Sequence, residues 1–331
     1  MGKPRVVMDP QKTFRRLVPV DQLASRLTPT DDVYVIAHMG IARVDAAQWR
    51  LGVDGLVERP FELDYDTLTA LPATDVTAVL ECFGNPVEPD VATRRVGNVV
   101  WRGVRLAELL QRAGVRPQAR HVCLEGLDSG TFANVYSERY VKDLPLARAL
   151  EPDVLVAWAM NGAPLTAEHG FPARVFVPGY FGTNAVKWLA RITLTAERPE
   201  SLFTTRLYNR CVDGELRPVR ELDVHAVIVT PSDGARLPRG VRTIGGWAWS
   251  RWPVTAVDVS TDAGASWQSA RVAPRGADHQ WQAFTHVWDV ERPGAYELHA
   301  RAVDSQKRVQ PAAGRNRVHT IQVVVEERDG E

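Results

Sequence analysis

Asp75-Val76-Thr77-Ala78-Val79-Leu80-Glu81-Cys82-Phe83-Gly84-Asn85-Pro86 reads as a strand that stops abruptly. Val and Thr favour the extended backbone, and the Gly, Asn and Pro that follow favour a turn. A turn at the mouth of a strand exposes a thiol, and its backbone N–H groups stabilise the thiolate. Cys82 therefore suits a metal ligand or a nucleophile. A buried apolar Cys closing a strand fits the same letters at least as well.

Outward from this stretch the chain alternates strands and helices. Upstream, Val33–Ile36 and the alternating Trp49–Gly55 predict strands. Downstream, Leu106, Leu109, Leu110 and Ala113 repeat at the spacing of one helical face, and Gly114 closes that helix. Strands are expected at 121–125, 154–159, 174–177 and 186–195, with a short helix at 144–150. Gly and Pro interrupt the pattern between about residues 198 and 225. Beyond them the expected strands run 224–230, 242–249, 254–260, 267–272, 281–290, 295–304 and 319–325, with a hairpin turn at Asp262-Ala263-Gly264. The fold class is α+β: a mixed α/β domain over residues 1–215, followed by an all-β immunoglobulin-like sandwich over 216–331.

Composition narrows the function. The 331 residues are 45% hydrophobic and 24% charged, with 40 basic and 40 acidic side chains. Zero net charge argues against a general nucleic-acid partner, and no apolar run reaches membrane-span length. The opening residues Met1 to Pro10 lack the apolar core of a secretion signal, so a cytoplasmic protein is expected. Cys82, Cys123 and Cys211 are far apart and odd in number, which excludes a complete disulfide framework and a clustered zinc site. Six of the 10 Trp fall in the last third of the chain, so the sandwich must bury or present much aromatic surface.

A second segment carries possible chemistry: His169-Gly170-Phe171-Pro172-Ala173-Arg174, then Pro178 through Leu189 with Lys187. Dense Gly and Pro punctuated by cations suit the binding of a phosphate or another anion. Each residue singly also fits an ordinary loop. His38 follows a strand, and Tyr208 lies between Arg206 and Arg210, a setting for a phenol with a lowered pKa or for a surface Tyr.

Taken in order, Cys82 with Gly84-Asn85, Trp101-Arg102-Gly103-Val104, Glu125 to Ser129, Pro145 to Leu150, Ala159-Met160-Asn161-Gly162 and His169 through Leu189 closely resemble the sulfite oxidase family of molybdopterin-dependent oxidoreductases. Gly246-Trp247-Ala248-Trp249, Val257 to Gly264, Trp267 and Arg301 to Asp304 extend the resemblance into that family's dimerisation domain. The resemblance implies a molybdenum cofactor with a single pterin (molybdopterin), ligated by Cys82. It implies pterin contacts from His38, Asp128, His169, Arg174 and Lys187. It also implies catalytic roles for Tyr208, Cys82 and Arg206, with Tyr208 hydrogen-bonding at the reactive centre and helping protons move. The expected substrate is sulfite or a similar small sulfur compound. The expected partners are a second copy of the chain and a separate electron acceptor, a cytochrome or other, because no haem motif is present.

The chain also departs from the family. Ile36 stands where the family has an Arg two residues before the pterin-contacting His, and Pro86-Val87 stand where it has Arg-Arg. His286 stands for a third Arg of the sandwich. Fewer arginines favour a less anionic substrate, so a sulfoxide or N-oxide reductase with the same cofactor is the alternative. A non-catalytic relative is a further one, disfavoured because Cys82 and Tyr208 are both kept.

Overall fold

The computed structural model describes residues 6–9, 13–86, 91–276 and 279–327; Val87 lies outside them. The chain forms two compact units. One comprises residues 1–16, 35–83 and 99–220; the other comprises 17–34, 84–98 and 221–331. The expected division at 215/216 lies close to the last of these crossings. Two early segments, 17–34 and 84–98, assort with the C-terminal unit.

The first unit holds two five-stranded sheets beside smaller two-stranded ones. Thr74–Glu81 is hydrogen-bonded to Val96–Arg105, which pairs in turn with Leu155–Met160; Ala163–Pro164 and Arg174–Phe176 both pair with Leu155–Met160. Every residue of Leu155–Met160 is buried, the continuous apolar run of a central strand. The second sheet orders Val141–Pro145, His121–Gly126, Leu189–Thr195, Leu51–Gly55 and Phe61–Leu63. Its Leu189–Thr195 and Leu51–Gly55 run parallel, Arg191 beside Gly52, and the other neighbours run antiparallel.

Helix Leu106–Ala113 buries Leu106, Ala107, Leu109, Leu110 and Ala113, the face its periodicity predicts. Gly114 ends it at φ 72°, and its N–H donates to Leu110 O and Gln111 O. A Cβ at Gly114 would stand 2.7 Å from the Glu58 carboxylate, so both the backbone and the space call for glycine.

Several expected elements are shorter than their apolar runs. Residues 186–188 stay outside the strand Leu189–Thr195, because Trp188 takes φ 50°. Leu144 and Pro145 belong to the strand Val141–Pro145, and only Leu146–Ala149 is helical. A single wide (π) turn, Leu202–Arg206, has no counterpart in the sequence reading.

The second unit is a two-sheet sandwich. One sheet orders His225–Thr230, Gly240–Trp249, Gln282–Val290 and Arg271–Val272; the other orders Arg236–Pro238, His319–Glu326, Gly294–Asp304, Val254–Ser260 and Gln268–Ser269. In His319–Glu326 buried and exposed residues alternate strictly, which directs Ile321, Val323 and Val325 into the core. The single strand expected over 267–272 is instead two pieces in different sheets. Ala270 between them donates its N–H to Val257 O as the chain crosses over. The predicted turn at Asp262-Ala263-Gly264 joins Val254–Ser260 to Gln268–Ser269, with Ala263 and Gly264 both left-handed. Two of the Trp residues explain how residues 17–34 join this unit. Trp247 and Trp281 stack at 4.8 Å, and their indole N–H groups donate to Leu23 O and Arg26 O.

Candidate functional site

The candidate site lies in the first unit. Strand Thr74–Glu81 delivers Cys82 at its end, half-buried and outside any disulfide. Phe83 beside it packs 5.3 Å from Phe181 and 6.4 Å from Tyr208. Tyr140 is buried behind this group, its hydroxyl hydrogen-bonded to Thr183 O and Oγ1, each at 2.8 Å. Burial, opposed by the Thr183 hydrogen bond and reinforced by Asp128 and Cys82, leaves its phenol pKa raised.

Tyr208 follows the wide turn Leu202–Arg206 and takes φ 57°. A left-handed bulky residue is strained, and such strain persists where surrounding contacts enforce it. Here its carbonyl accepts from Val219 N at 2.8 Å and its hydroxyl is hydrogen-bonded to His38 Nε2. His38 sits at the end of strand Val35–Ala37, its ring edge-on to Phe132 at 4.3 Å. Burial, then the charges of Lys187 and Arg15, push its pKa down to about 3. His38 is therefore neutral near pH 7 and can accept from the phenol or donate to it.

His169, Arg174, Lys187 and Asp128 gather nearby in the same unit. Arg174 donates to His169 O at 3.1 Å and to Ala185 O at 3.0 Å, and its guanidinium lies over the Trp101 ring at 5.0 Å. Lys187 donates to Glu168 O at 2.8 Å and lies 4.1 Å from the Trp188 ring centroid. Burial, then the neighbouring Arg174, lowers the Lys187 pKa, while burial raises that of Asp128. Lys187 joins the two groups of residues, because its charge bears on Asp128 and on His38.

This donor set fits a pterin cofactor. Two cations, the buried Arg174 and the half-buried Lys187, face the cost of desolvation, which an anionic phosphate nearby would offset. Asp128 Oδ1 is buried without a hydrogen-bond partner, an acceptor suited to a ring N–H. Among the described residues no group of three or more His, Cys, Asp or Glu is placed to hold a metal ion.

Arg206 joins none of these contacts among the described residues. It is exposed and lines a cavity of about 400 Å³ with Tyr136, Arg139 and Glu200. Ile36 is half-buried and apolar, and brings no charge. The sequence reading missed Tyr140, Phe132, Phe203 and Lys142. Lys142 left a signal, since the alternation of strand Val141–Pro145 turns it to the same face as the buried Leu144.

A thiol at a strand end, a strained Tyr–His pair and desolvated cations fit a molybdopterin-binding oxidoreductase, and the comparisons show that class. Residues 38–203 match the oxidoreductase molybdopterin binding domain, and residues 217–325 match the Mo-co oxidoreductase dimerisation domain. The chain belongs to the sulfite oxidase family of these enzymes. It is 34% identical to sulfite oxidase of Gallus gallus over 342 residues, covering 93% of this chain and 73% of that protein. It is 33% identical to mitochondrial sulfite oxidase of Homo sapiens, covering 93% of this chain and 62% of that one. The crystal structure of the sulfane dehydrogenase SoxCD from Paracoccus pantotrophus superposes with TM-score 0.84 at 29% identity, covering 98% of this chain and 90% of that one. The family's cofactor is molybdenum bound by molybdopterin. Among the described residues no helix is long and apolar enough to cross a membrane.

Proposed function

We propose that the chain oxidises a small sulfur compound of the sulfite class by oxygen-atom transfer and passes the electrons to a separate acceptor, a cytochrome or another carrier. The observation that supports this most is the gathering in one unit of Cys82, the Tyr208–His38 pair and the cations around Lys187. When bound, the molybdenum centre supplies two-electron chemistry that moves an oxygen atom between water and substrate. Cys82 would ligate the metal as thiolate. His38, Asp128, His169, Arg174 and Lys187 would hold the pterin. Tyr208 is positioned by the Val219 hydrogen bond and by the neutral His38, so its hydroxyl would hold one orientation toward the reacting centre. Phe83, Phe132 and Phe203 pack around this pair and restrict its side chains. Arg206, exposed two residues before Tyr208, would supply charge that attracts an anionic substrate. The second domain would pair two copies of the chain.

Metal and pterin analysis of purified protein tests the reading. About one molybdenum per chain, with a pterin lacking a nucleotide, is expected. Cys82→Ser should lose turnover by at least about 1,000-fold while the protein stays folded. Equal turnover in Cys82→Ser would sink it. Sulfite-dependent reduction of an acceptor dye identifies the oxidative direction; sulfoxide-dependent oxidation of a reduced dye instead would identify the reductase alternative.

A further inference from the structure

Lys142 is fully buried in the strand Val141–Pro145. Its ammonium donates to Phe203 O at 2.7 Å, inside the wide turn that precedes Tyr208, and lies 5.3 Å from the centroid of the Tyr208 ring. Among the described residues no carboxylate comes within ion-pair distance of it. The nearest in sequence, Asp143, is fully buried and already engaged, by Arg198 at 3.0 Å and Arg220 at 2.7 Å. A buried cation without a counter-ion is among the costliest groups a fold can hold. Here the offsetting partners are a carbonyl and the electron-rich face of the Tyr208 ring.

We infer that Lys142 is a positioning residue for Tyr208: it fixes the wide turn through Phe203 and places positive charge against the phenol ring, stabilising negative charge on its hydroxyl. The inference rests on the reading of Tyr208 as a catalytic group. The charge acts on the same phenol that His38 holds from its hydroxyl end, so the two set the tyrosine's orientation and proton affinity together. The groups that face the ammonium are Asp143 on its own strand, Arg198 and Arg220 around that carboxylate, and Tyr208 with its partner His38 beyond the Phe203 carbonyl. Burial, opposed by Asp143 and reinforced by Arg198 and Arg220, lowers the Lys142 pKa to about 7. Its charge is therefore present below neutral pH and fades above it.

The test uses holoenzyme labelled with 13C at the tyrosine ζ-carbon, the Tyr208 resonance being assigned by its loss in Tyr208→Phe. Lys142→Met, which keeps length and loses charge, should raise the Tyr208 titration midpoint by about one pH unit and lower kcat about ten-fold. Its KM should change far less, and its molybdenum content should stay the same. Lys142→Arg should restore both midpoint and kcat to within about three-fold. An unchanged midpoint in Lys142→Met overturns the inference. Should that variant fail to fold, the wild type decides: the Tyr208 resonance must shift as Lys142 loses its proton, followed at the lysine ε-carbon, and a flat trace overturns it. Full turnover in Tyr208→Phe would instead refute the catalytic reading, leaving the midpoint comparison to report on Lys142 alone.

Discussion

Lys187 is held where an ammonium is least at home: half-buried and desolvated, under the charge of the Arg174 guanidinium, with Asp128 and Glu168 as the opposing charges. Burial and Arg174 depress its pKa and so favour the neutral amine, and burial pushes Asp128 toward its protonated form. An anion brought to this group reverses the balance, restoring the Lys187 charge. Replacing Lys187 with Met should therefore leave a folded protein that releases its pterin. Loss of one charge-assisted contact is worth about 2 kcal/mol, or about 30-fold in retention. Dialysis followed by molybdenum and pterin analysis checks this, and full retention would remove Lys187 from the cofactor site. Cys82, His38, His169, Arg174, Lys187 and Tyr208 were legible because their order and spacing resemble a family pattern. Their partnerships were not. That His38 bonds Tyr208, 170 positions away, depends on how two sheets and a wide turn converge, which no local pattern records. Lys142 went unread because a lone charged residue in a strand is ordinarily a solvated one.

The wide turn Leu202–Arg206 is the element that aims Tyr208, and its stability is local. Ser201 accepts from Phe203 N through its hydroxyl at 3.2 Å, and Thr204 Oγ1 accepts from Ser201 N at 2.8 Å, a reciprocal cap on a turn of five residues. Ser201→Ala removes one half of that cap and should cost about 1 kcal/mol. The cost should appear in turnover as well as in stability, because a loosened turn frees the Phe203 carbonyl that Lys142 holds and the strained backbone at Tyr208. A thermal melt with kcat measured beside it checks both; a stability loss with unchanged kcat would detach the turn from the chemistry. Helix Leu106–Ala113 was legible to the residue, since its buried stripe and Gly114 both write themselves in the letters. Leu-Phe-Thr-Thr-Arg has no periodicity to read, and its geometry is imposed by a cap and by buried neighbours. The same distinction explains the strand expected over 267–272. Alternation gave its extended character, but a crossover between sheets is decided by partners distant in sequence.

At the scale of the molecule, the sandwich unit is built to be stable only where its histidines are neutral. His319 and His225 are both buried, one on each sheet. His319 Nδ1 accepts from Ile228 N at 3.0 Å, a bond that a protonated ring cannot make. His225 packs 4.8 Å from Trp249. Burial first, then Arg94 and His299, pushes the His319 pKa down to about 3, and burial with Arg94, His319 and Arg315 lowers that of His225 well below its usual value. The folded pKa lies below the unfolded one, so the unfolded chain binds more protons throughout the interval between them. Stability is then complete above the unfolded value of about 6.5 and declines as the pH falls from there toward the folded one. For His319 the loss between pH 6.5 and pH 5 is about 1.36 kcal/mol per pH unit over 1.5 units, or about 2 kcal/mol, and His225 adds to it in the same direction. Urea melts at pH 7.5, 6 and 5, followed by tryptophan fluorescence, should show the midpoint falling steeply over that range. His319→Gln offers Ile228 N an acceptor that does not titrate, so it should flatten the slope by about 1 kcal/mol per pH unit. A wild-type midpoint that stays level down to pH 5 would mean that these rings meet solvent in the folded protein, against the burial that places them in the core.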